Sequence, residues 1–371
     1  MIYDNINSQD QKRKRRPLKN KELYKNNKDF EYHTFMYDIF SNINNDSIII
    51  IGPPSNNLQY KNIHLIIYDN ESTLKVEPSW INDTIPNLII RFKYKVQKEI
   101  IAQVCYDGWK SDKKKININT SSKYNLTLTT KIRNESNKIE QWLIYYIKMG
   151  VEQFYIYDNW SEDTDNLFRI LNKYNKYITL IKWPFAHSRL TKNKYSQPGA
   201  FNHSIYKYGN TKRMIICDVD EFIVPLKYNS LRDLIVKYSK YYVIQIETCW
   251  FGNNIEKQLK PVLQNFMYRK RNSEGNEYGT KCIVDPSKIK LYGVHHPIII
   301  KNEGYNEHNI ERFGNACYYK NDKDSKTRLI ELNPSDVIIN HYYYFSNWRK
   351  DDNKREKIDF EIYDNNILRF I

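Results

Sequence analysis

The chain has 371 residues, of which 27% are charged and 40% hydrophobic, with a formal net charge of +15. That length carries one large domain or two modest ones and can bury a core without disulfide or metal staples, and the composition excludes a collagenous, low-complexity or wholly disordered chain. The charge suits partners that bear phosphate or another anion, although heavy use of Asn, Lys, Ile and 32 Tyr also points to A/T-rich codons.

Five cysteines (Cys105, Cys217, Cys249, Cys282 and Cys317) are scattered without a C-x-x-C pair. This argues against a zinc site or a disulfide framework and fits a reducing compartment. There is no run of about 18 apolar residues and no charged-then-apolar leader. The expectation is a cytoplasmic protein without a transmembrane segment, its codon bias suggesting a viral or unicellular source. The many Asn-x-Ser/Thr sequons are expected by chance in so Asn-rich a chain.

Residues 1–30 are polar and basic, centred on Lys12-Arg13-Lys14-Arg15-Arg16. They read as a disordered tail, with nuclear import, RNA contact or membrane attraction as sharper alternatives. Residues 31–122 carry short β-like runs at 47–51, 64–68, 87–94 and 99–106, separated by turn clusters such as Gly52-Pro53-Pro54. They predict a small β-rich module, and the polar stretch 107–123 predicts a linker.

From residue 124 the pattern alternates. Strands are predicted at 125–130, 153–157, 178–181 and 213–217, and helices at 164–174, 199–208 and 231–238. A further helix is expected from an N-cap at Ser136, through Ile139, Trp142, Leu143, Tyr146 and Ile147 at helical spacing, to Gly150 as its C′ residue. Such alternation predicts an α/β fold, a mostly parallel sheet flanked by helices, over 123–345. Residues 346–371 are expected to form a helical extension. No Gly-rich phosphate loop is present.

The crossovers gather the loops after the strands at one edge, where open α/β sheets bind ligands. Those loops hold Arg133-Asn134-Glu135, Asp158-Asn159 and Asp218-Val219-Asp220. In extended chain Asp218 and Asp220 would share a face. Two convergent carboxylates at a strand end suit a hard divalent cation. Such a cation could hold a diphosphate, as a sugar-nucleotide-dependent transferase requires.

These motifs together resemble glycosyltransferase family 92, a branch of the GT-A superfamily. The resemblance covers roughly 124–345. It rests on Lys131-Ile132-Arg133-Asn134-Glu135, on Glu140-Gln141-Trp142 followed by Gly150-Val151, and on Tyr157-Asp158-Asn159-x-Ser161-x-Asp163. Gln197 to Asn202, Asp218-Val219-Asp220-Glu221-Phe222, Trp250-Phe251-Gly252, Lys281, Val294-His295 and His341-Tyr342 follow in family order. Tyr146 stands at or near a position where the family usually has His.

The resemblance implies a GT-A fold, a divalent cation (usually manganese) and a UDP-sugar donor, with galactose the leading sugar and inversion the stereochemistry. It implies metal ligation by Asp218 and Asp220, with His341 a further ligand and His295 a weaker candidate. Arg133, Asn134, Glu135, Asp158, Asp218 and Lys281 become candidates for nucleotide contact, and Glu221 for orienting the acidic loop. The general base stays open among Glu247, Glu303, Glu307 and Glu311, with Glu247 and Glu307 put forward. Trp250 and Phe251 suit either sugar stacking or core packing. The acceptor (glycan, protein or lipid) is not specified. A catalytically inactive interaction protein on the same scaffold and a basic nucleic-acid binder are the competing classes.

Overall fold

The computed structural model describes residues 2–4, 9–10, 34–53, 62–69, 72–82, 86–185, 196–252, 263, 266–270, 279–300, 310–313, 316–319, 329–342 and 360–371. The basic run 12–16 lies outside them. Within the stretch read as a tail, Ile2–Asp4 pairs in parallel with the strand Ile178–Lys182, so the disordered reading is corrected there. An edge strand presents unpaired backbone groups that recruit a partner strand, and composition alone does not show this.

The β-rich module is a pair of antiparallel sheets. Asp38–Ser41, Ser47–Gly52, Leu88–Lys93 and Pro78–Asn82 form one. His64–Asp69, Ser72–Val76 and Ile100–Tyr106 form the other, and Trp109–Lys110 and Lys114–Ile116, inside the expected linker, also join it. Alternation along Ser47–Gly52 and Leu88–Lys93 splits their apolar residues between two cores. Ile48, Ile50, Leu88, Ile90 and Phe92 fill the space between the two sheets. Ile49, Ile51 and Ile89 face the rest of the chain and pack with Trp183, Ala200 and Phe201. The module therefore shares a core with the larger unit.

That larger unit is built on a twelve-stranded mixed sheet. Ile178–Lys182, Gln153–Asp158, Tyr124–Ile132 and Thr211–Ile216 lie side by side in parallel. Thr280–Val284 then runs antiparallel to both Thr211–Ile216 and Val243–Gly252. The helical crossovers that parallel pairing requires are confined to the part of the sequence with helical spacing.

The helix Ile139–Lys148 buries Ile139, Trp142, Leu143 and Tyr146 along one stripe, and Gly150 ends it at φ +97°. Ser136 is not its N-cap; Lys138 is. The Ser136 amide donates to Asp163 Oδ2, and its Oγ accepts from Asn166 Nδ2, so the next helix uses its polar groups. The helix Ser196–Tyr208 is enclosed between the module and the sheet, with twelve of its residues buried. Among the described residues of 346–371, Phe360–Tyr363 is a strand paired with Tyr268–Lys270, followed by a 3-10 turn over Asn366–Phe370. The helical expectation is corrected to that extent, because short β-branched and aromatic runs favour pairing over a helix. No helix among the described residues is long and apolar enough to cross a membrane.

Candidate active site

The strand Thr211–Ile216, apolar from Met214 onward, delivers Cys217 and then Asp218 to the carboxyl end of the parallel strands. Asp218-Val219-Asp220-Glu221 is a tight turn there: the Glu221 amide donates to Asp218 O at 3.1 Å. The Asp218 amide donates to Glu221 Oε2 at 2.9 Å, bracing the turn from the other side. The two aspartates thus belong to a turn and not to an extended segment, which corrects the pleat argument. Charges crowded into one loop satisfy its backbone donors better than a sheet partner could.

Buried Lys281, 1% exposed, reaches this turn from the neighbouring strand. Its Nζ donates to Asp218 Oδ2 at 2.7 Å and lies 3.3 Å from Glu221 Oε2. From the other face Gln197 Nε2 donates to Asp218 Oδ1 at 2.9 Å. Both Asp218 oxygens are therefore engaged, while its side chain keeps one-third exposure. Burial pushes the Asp218 carboxyl up, but the Lys281 ammonium outweighs that and holds it below the usual carboxylate range. Burial also raises Glu221, and there Lys281 does not fully compensate, because Asp218 and Asp220 repel a further negative charge. Burial disfavours the Lys281 ammonium, but Asp218 and Glu221 reverse this and raise its pKa.

Asp220 lies on the other side of the turn. The strand Glu221–Val224 pairs antiparallel with Ile338–Tyr342, placing Glu221 directly opposite His341. His341 Nε2 comes within 3.4 Å of Asp220 Oδ2. Tyr342, next along, donates its amide to Asp220 O at 2.9 Å.

Tyr146 lies beneath this strand pair and is fully buried. Its hydroxyl donates to Glu221 O and accepts from the Ile223 amide, both at 3.1 Å. A phenol can serve one backbone acceptor and one donor at once, so Tyr146 supports the acidic turn from below.

Glu135 also belongs to this neighbourhood. Its carboxyl pairs with the nearly buried Lys138 at 2.9 Å. Burial nonetheless pushes it up to about 7, against the pull of Lys138 and with added repulsion from Asp220 and Asp163. Asn134, at φ +56°, accepts from the Glu162 amide through Oδ1 at 2.6 Å, and its own amide donates to Ser161 Oγ. Asp158 Oδ1 accepts from the Ser161 amide at 3.1 Å. The two strand-end loops are thus tied together, as the crossover argument places them. Arg133 is half exposed at their rim, 3.5 Å from Glu162.

His295 sits close enough to assist the ionisation of Asp218. Its backbone carbonyl accepts from the Tyr292 hydroxyl at 3.3 Å. Glu247 does not converge with the cluster. It pairs with Thr280 while Ile246 pairs with Lys281, and directly opposed residues share a face. Glu247 therefore projects from the face opposite Lys281, and burial together with Glu331 raises its pKa. Trp250 pairs with His341, and Phe251 is buried against Tyr342. Glu303 and Glu307 lie outside the described residues, and Glu311 is placed only as part of the strand Ile310–Phe313.

The residue types fit a divalent cation in a restricted way. Among the described residues no group of three or more His, Cys, Asp or Glu side chains is arranged to hold an ion alone. Asp220 and His341, a hard carboxylate and a borderline imidazole 3.4 Å apart, are a donor pair. Magnesium-like ions commonly take one or two carboxylates and complete their shell with water and substrate phosphate. The sequence did not show that Asp218 is committed to Lys281 and Gln197.

The fold and this cluster together define an α/β protein with an acidic, lysine-braced turn at the carboxyl ends of its parallel strands. The model of glycosyltransferase family 92 matches residues 132–367, more than half of the chain, and the chain belongs to that family. A family 92 protein of Ricinus communis is 30% identical over 142 residues, covering 36% of this chain and 23% of that protein. A second alignment to the same castor bean protein is 25% identical over 227 residues, or 60% of this chain and 36% of the relative. A family 92 protein of Oryza sativa is 27% identical over 122 residues, covering 31% of this chain and 19% of that one. The chain thus spans about a third or less of the length of these relatives. Among solved structures, that of TarS 1-349 from S. aureus in complex with UDP aligns with a TM-score of 0.29 at 14% identity, covering 45% of this chain and 47% of that one.

Proposed function

We propose that this protein is a glycosyltransferase that moves a sugar, galactose in the first instance, from a UDP-sugar to a hydroxyl acceptor with inversion. The observation that supports this most directly is the turn that sets Asp220 Oδ2 against His341 Nε2 at 3.4 Å, beside buried Lys281, at the carboxyl ends of the parallel strands. A divalent cation, manganese by preference, would be held by Asp220 and His341 and would act as a Lewis acid toward the departing diphosphate. Asp218, fixed by Lys281 and Gln197, presents its exposed edge to the nucleotide. Lys281 keeps its charge, lends positive potential where negative charge develops, and offsets part of the repulsion among the three carboxylates.

Calorimetric titration of UDP in manganese and in EDTA tests this, on wild type and on Asp220→Asn. The expected result is binding in manganese, weakened at least tenfold by EDTA and by the substitution. A folded wild type that binds no nucleotide in any divalent metal would refute the transferase reading.

One observation favours a second reading. Lys281 already sits 2.7 Å from Asp218 and 3.3 Å from Glu221, so a fixed cation is present without a metal. In a metal-independent donor site, UDP binding would persist in EDTA and be lost in Lys281→Met.

A further inference from the structure

A cavity of about 350 Å³ lies at the other end of the same sheet, between the β-rich module and the larger unit. Tyr124 and Gln153, the first residues of two central strands, line it. The acidic turn lies at the opposite, carboxyl ends, and six residues of strand span roughly 20 Å. This cavity is therefore separate from the donor site.

Its lining is chemically selective. Tyr155 and Tyr208 line it and stack in parallel, with ring centroids 4.4 Å apart. The opposite wall is the polar segment 117–122, rich in amide and hydroxyl groups. Among the described residues, no carboxylate side chain lines the space. Its two cationic groups already have counter-ions: Lys207 Nζ lies 3.1 Å from Asp38, and Lys115 Nζ lies 2.6 Å from Glu99. Lys207 is thus committed to a buried carboxylate and Lys115 sits in an exposed pair at the rim, so neither is a buried cation held in reserve for an anion, and a cationic ligand would find no carboxylate on the wall. A neutral molecule with an apolar face and many hydroxyls matches what remains.

The wall is built in advance. Asn119 Nδ2 donates to Lys207 O at 2.7 Å and to Ser41 O at 3.3 Å. The Asn119 amide donates to Asn45 Oδ1, and Asn45 Nδ2 donates back to Asn119 O. One asparagine thus ties the segment to both units, and a wall already ordered loses little entropy when a ligand arrives. The volume lies at the lower end of the roughly 300–1,000 Å³ range of small-molecule sites, the size of a sugar unit or two and not of a long chain.

We infer that this interdomain cavity binds a neutral mono- or disaccharide unit, a second carbohydrate site remote from the donor end. Choosing a saccharide over another neutral polyol rests on the transferase reading above; the existence and neutrality of the site do not.

The test is ligand-observed saturation-transfer NMR on the full chain with galactose, N-acetylglucosamine and lactose, with UDP titration and melting temperature measured in parallel. Thr120 and Ile118 are exposed on the cavity wall, so tryptophan at either fills the space without entering the core. The expected result is transfer to at least one sugar in wild type, reduced more than tenfold in both Thr120→Trp and Ile118→Trp. UDP binding and melting temperature should be unchanged in both variants. No transfer to any sugar in a wild type that binds UDP overturns the inference and leaves the donor site standing. Transfer that survives in both variants puts the sugar elsewhere and overturns it too. Sugar binding lost in both variants of a protein that never binds UDP supports the cavity while the donor reading falls.

Discussion

The clusters around Lys281 and around Asp38 both bury charge with a lysine, and they differ in what surrounds them. At the strand ends, Lys281 lies between Asp218 and Glu221 with Asp220 close by, so carboxylates outnumber the lysine, and Asp218 keeps one-third of its side chain exposed. Between the module and the sheet, Asp38 accepts from His203 Nε2 at 2.8 Å and from Lys207 Nζ at 3.1 Å, and both Asp38 and His203 are fully buried. His203 Nδ1 pairs in turn with the Tyr157 hydroxyl at 2.7 Å. The carboxylate of the second cluster is fully buried and fully engaged, with only Lys207 reaching the cavity wall, so it can hold two units together. The first has access to solvent and carboxylate charge in excess of its lysine, which is what a cationic ligand needs. Burial of charge identifies both clusters; access and imbalance separate the candidate site from the joint.

The most direct way to break this distinction is to remove one partner from each cluster. Asp38→Ala deprives fully buried His203 of its acceptor and Lys207 of its counter-ion, and is expected to cost about 3–5 kcal/mol, the usual loss when a buried pair loses one member. Lys281→Met leaves Asp218 and Glu221 facing each other, but Asp218 can still be reached by water. A smaller loss is expected, about 2–3 kcal/mol on the same scale. Urea midpoints of the two variants measure the difference. Equal losses would mean that the two clusters are the same kind of structural joint.

A change beneath the open cluster should cost less. Tyr146→Phe deprives Glu221 O and the Ile223 amide of the phenol that serves both. Leaving buried backbone groups unpaired costs about 1–3 kcal/mol, and UDP affinity should fall with stability because the acidic turn loses its floor. Wild-type stability in Tyr146→Phe would show that the sheet pairing alone fixes that turn.

Much of the larger unit was legible in the sequence. The parallel strands and their helices announced themselves through period and punctuation, and their ends moved by only a residue or two, except at the helices after Ser136 and before Gly199. The Asp-x-Asp stretch was legible as an acidic strand end. Its partners were not: Gln197 and Lys281 come from segments well removed in sequence, and only register brings them to Asp218. Asp38 gave a fainter sign, a single acid in the apolar run Tyr37-Asp38-Ile39-Phe40. Such an acid must find cations in the core, but its sequence context cannot say that they come from the helix Ser196–Tyr208. Of the module's antiparallel strands, the apolar runs at 47–51, 64–68, 87–94 and 99–106 were readable, while the more polar Ser72–Val76 and Lys114–Ile116 were not, and the cavity beside them depends on packing between units and left no local trace.

The smallest expected effect concerns Glu135, which borders the open cluster and senses its excess negative charge. Burial pushes its carboxyl up to about 7 despite Lys138 at 2.9 Å. A carboxyl whose folded pKa exceeds its unfolded value of about 4.3 binds its proton more tightly in the native state. It therefore contributes stability at low pH that is lost as pH rises from about 4.5 through 7. Because the side chain keeps some contact with water, the expected size of that loss is about 1–2 kcal/mol. Glu135→Gln imitates the protonated form at every pH. It should match wild type near pH 4 and exceed it by that amount at pH 8, read from urea midpoints at the two pH values. A gap that stays flat across this range would mean that Lys138 already compensates the burial of Glu135, and that the excess negative charge of the acidic turn does not reach that far.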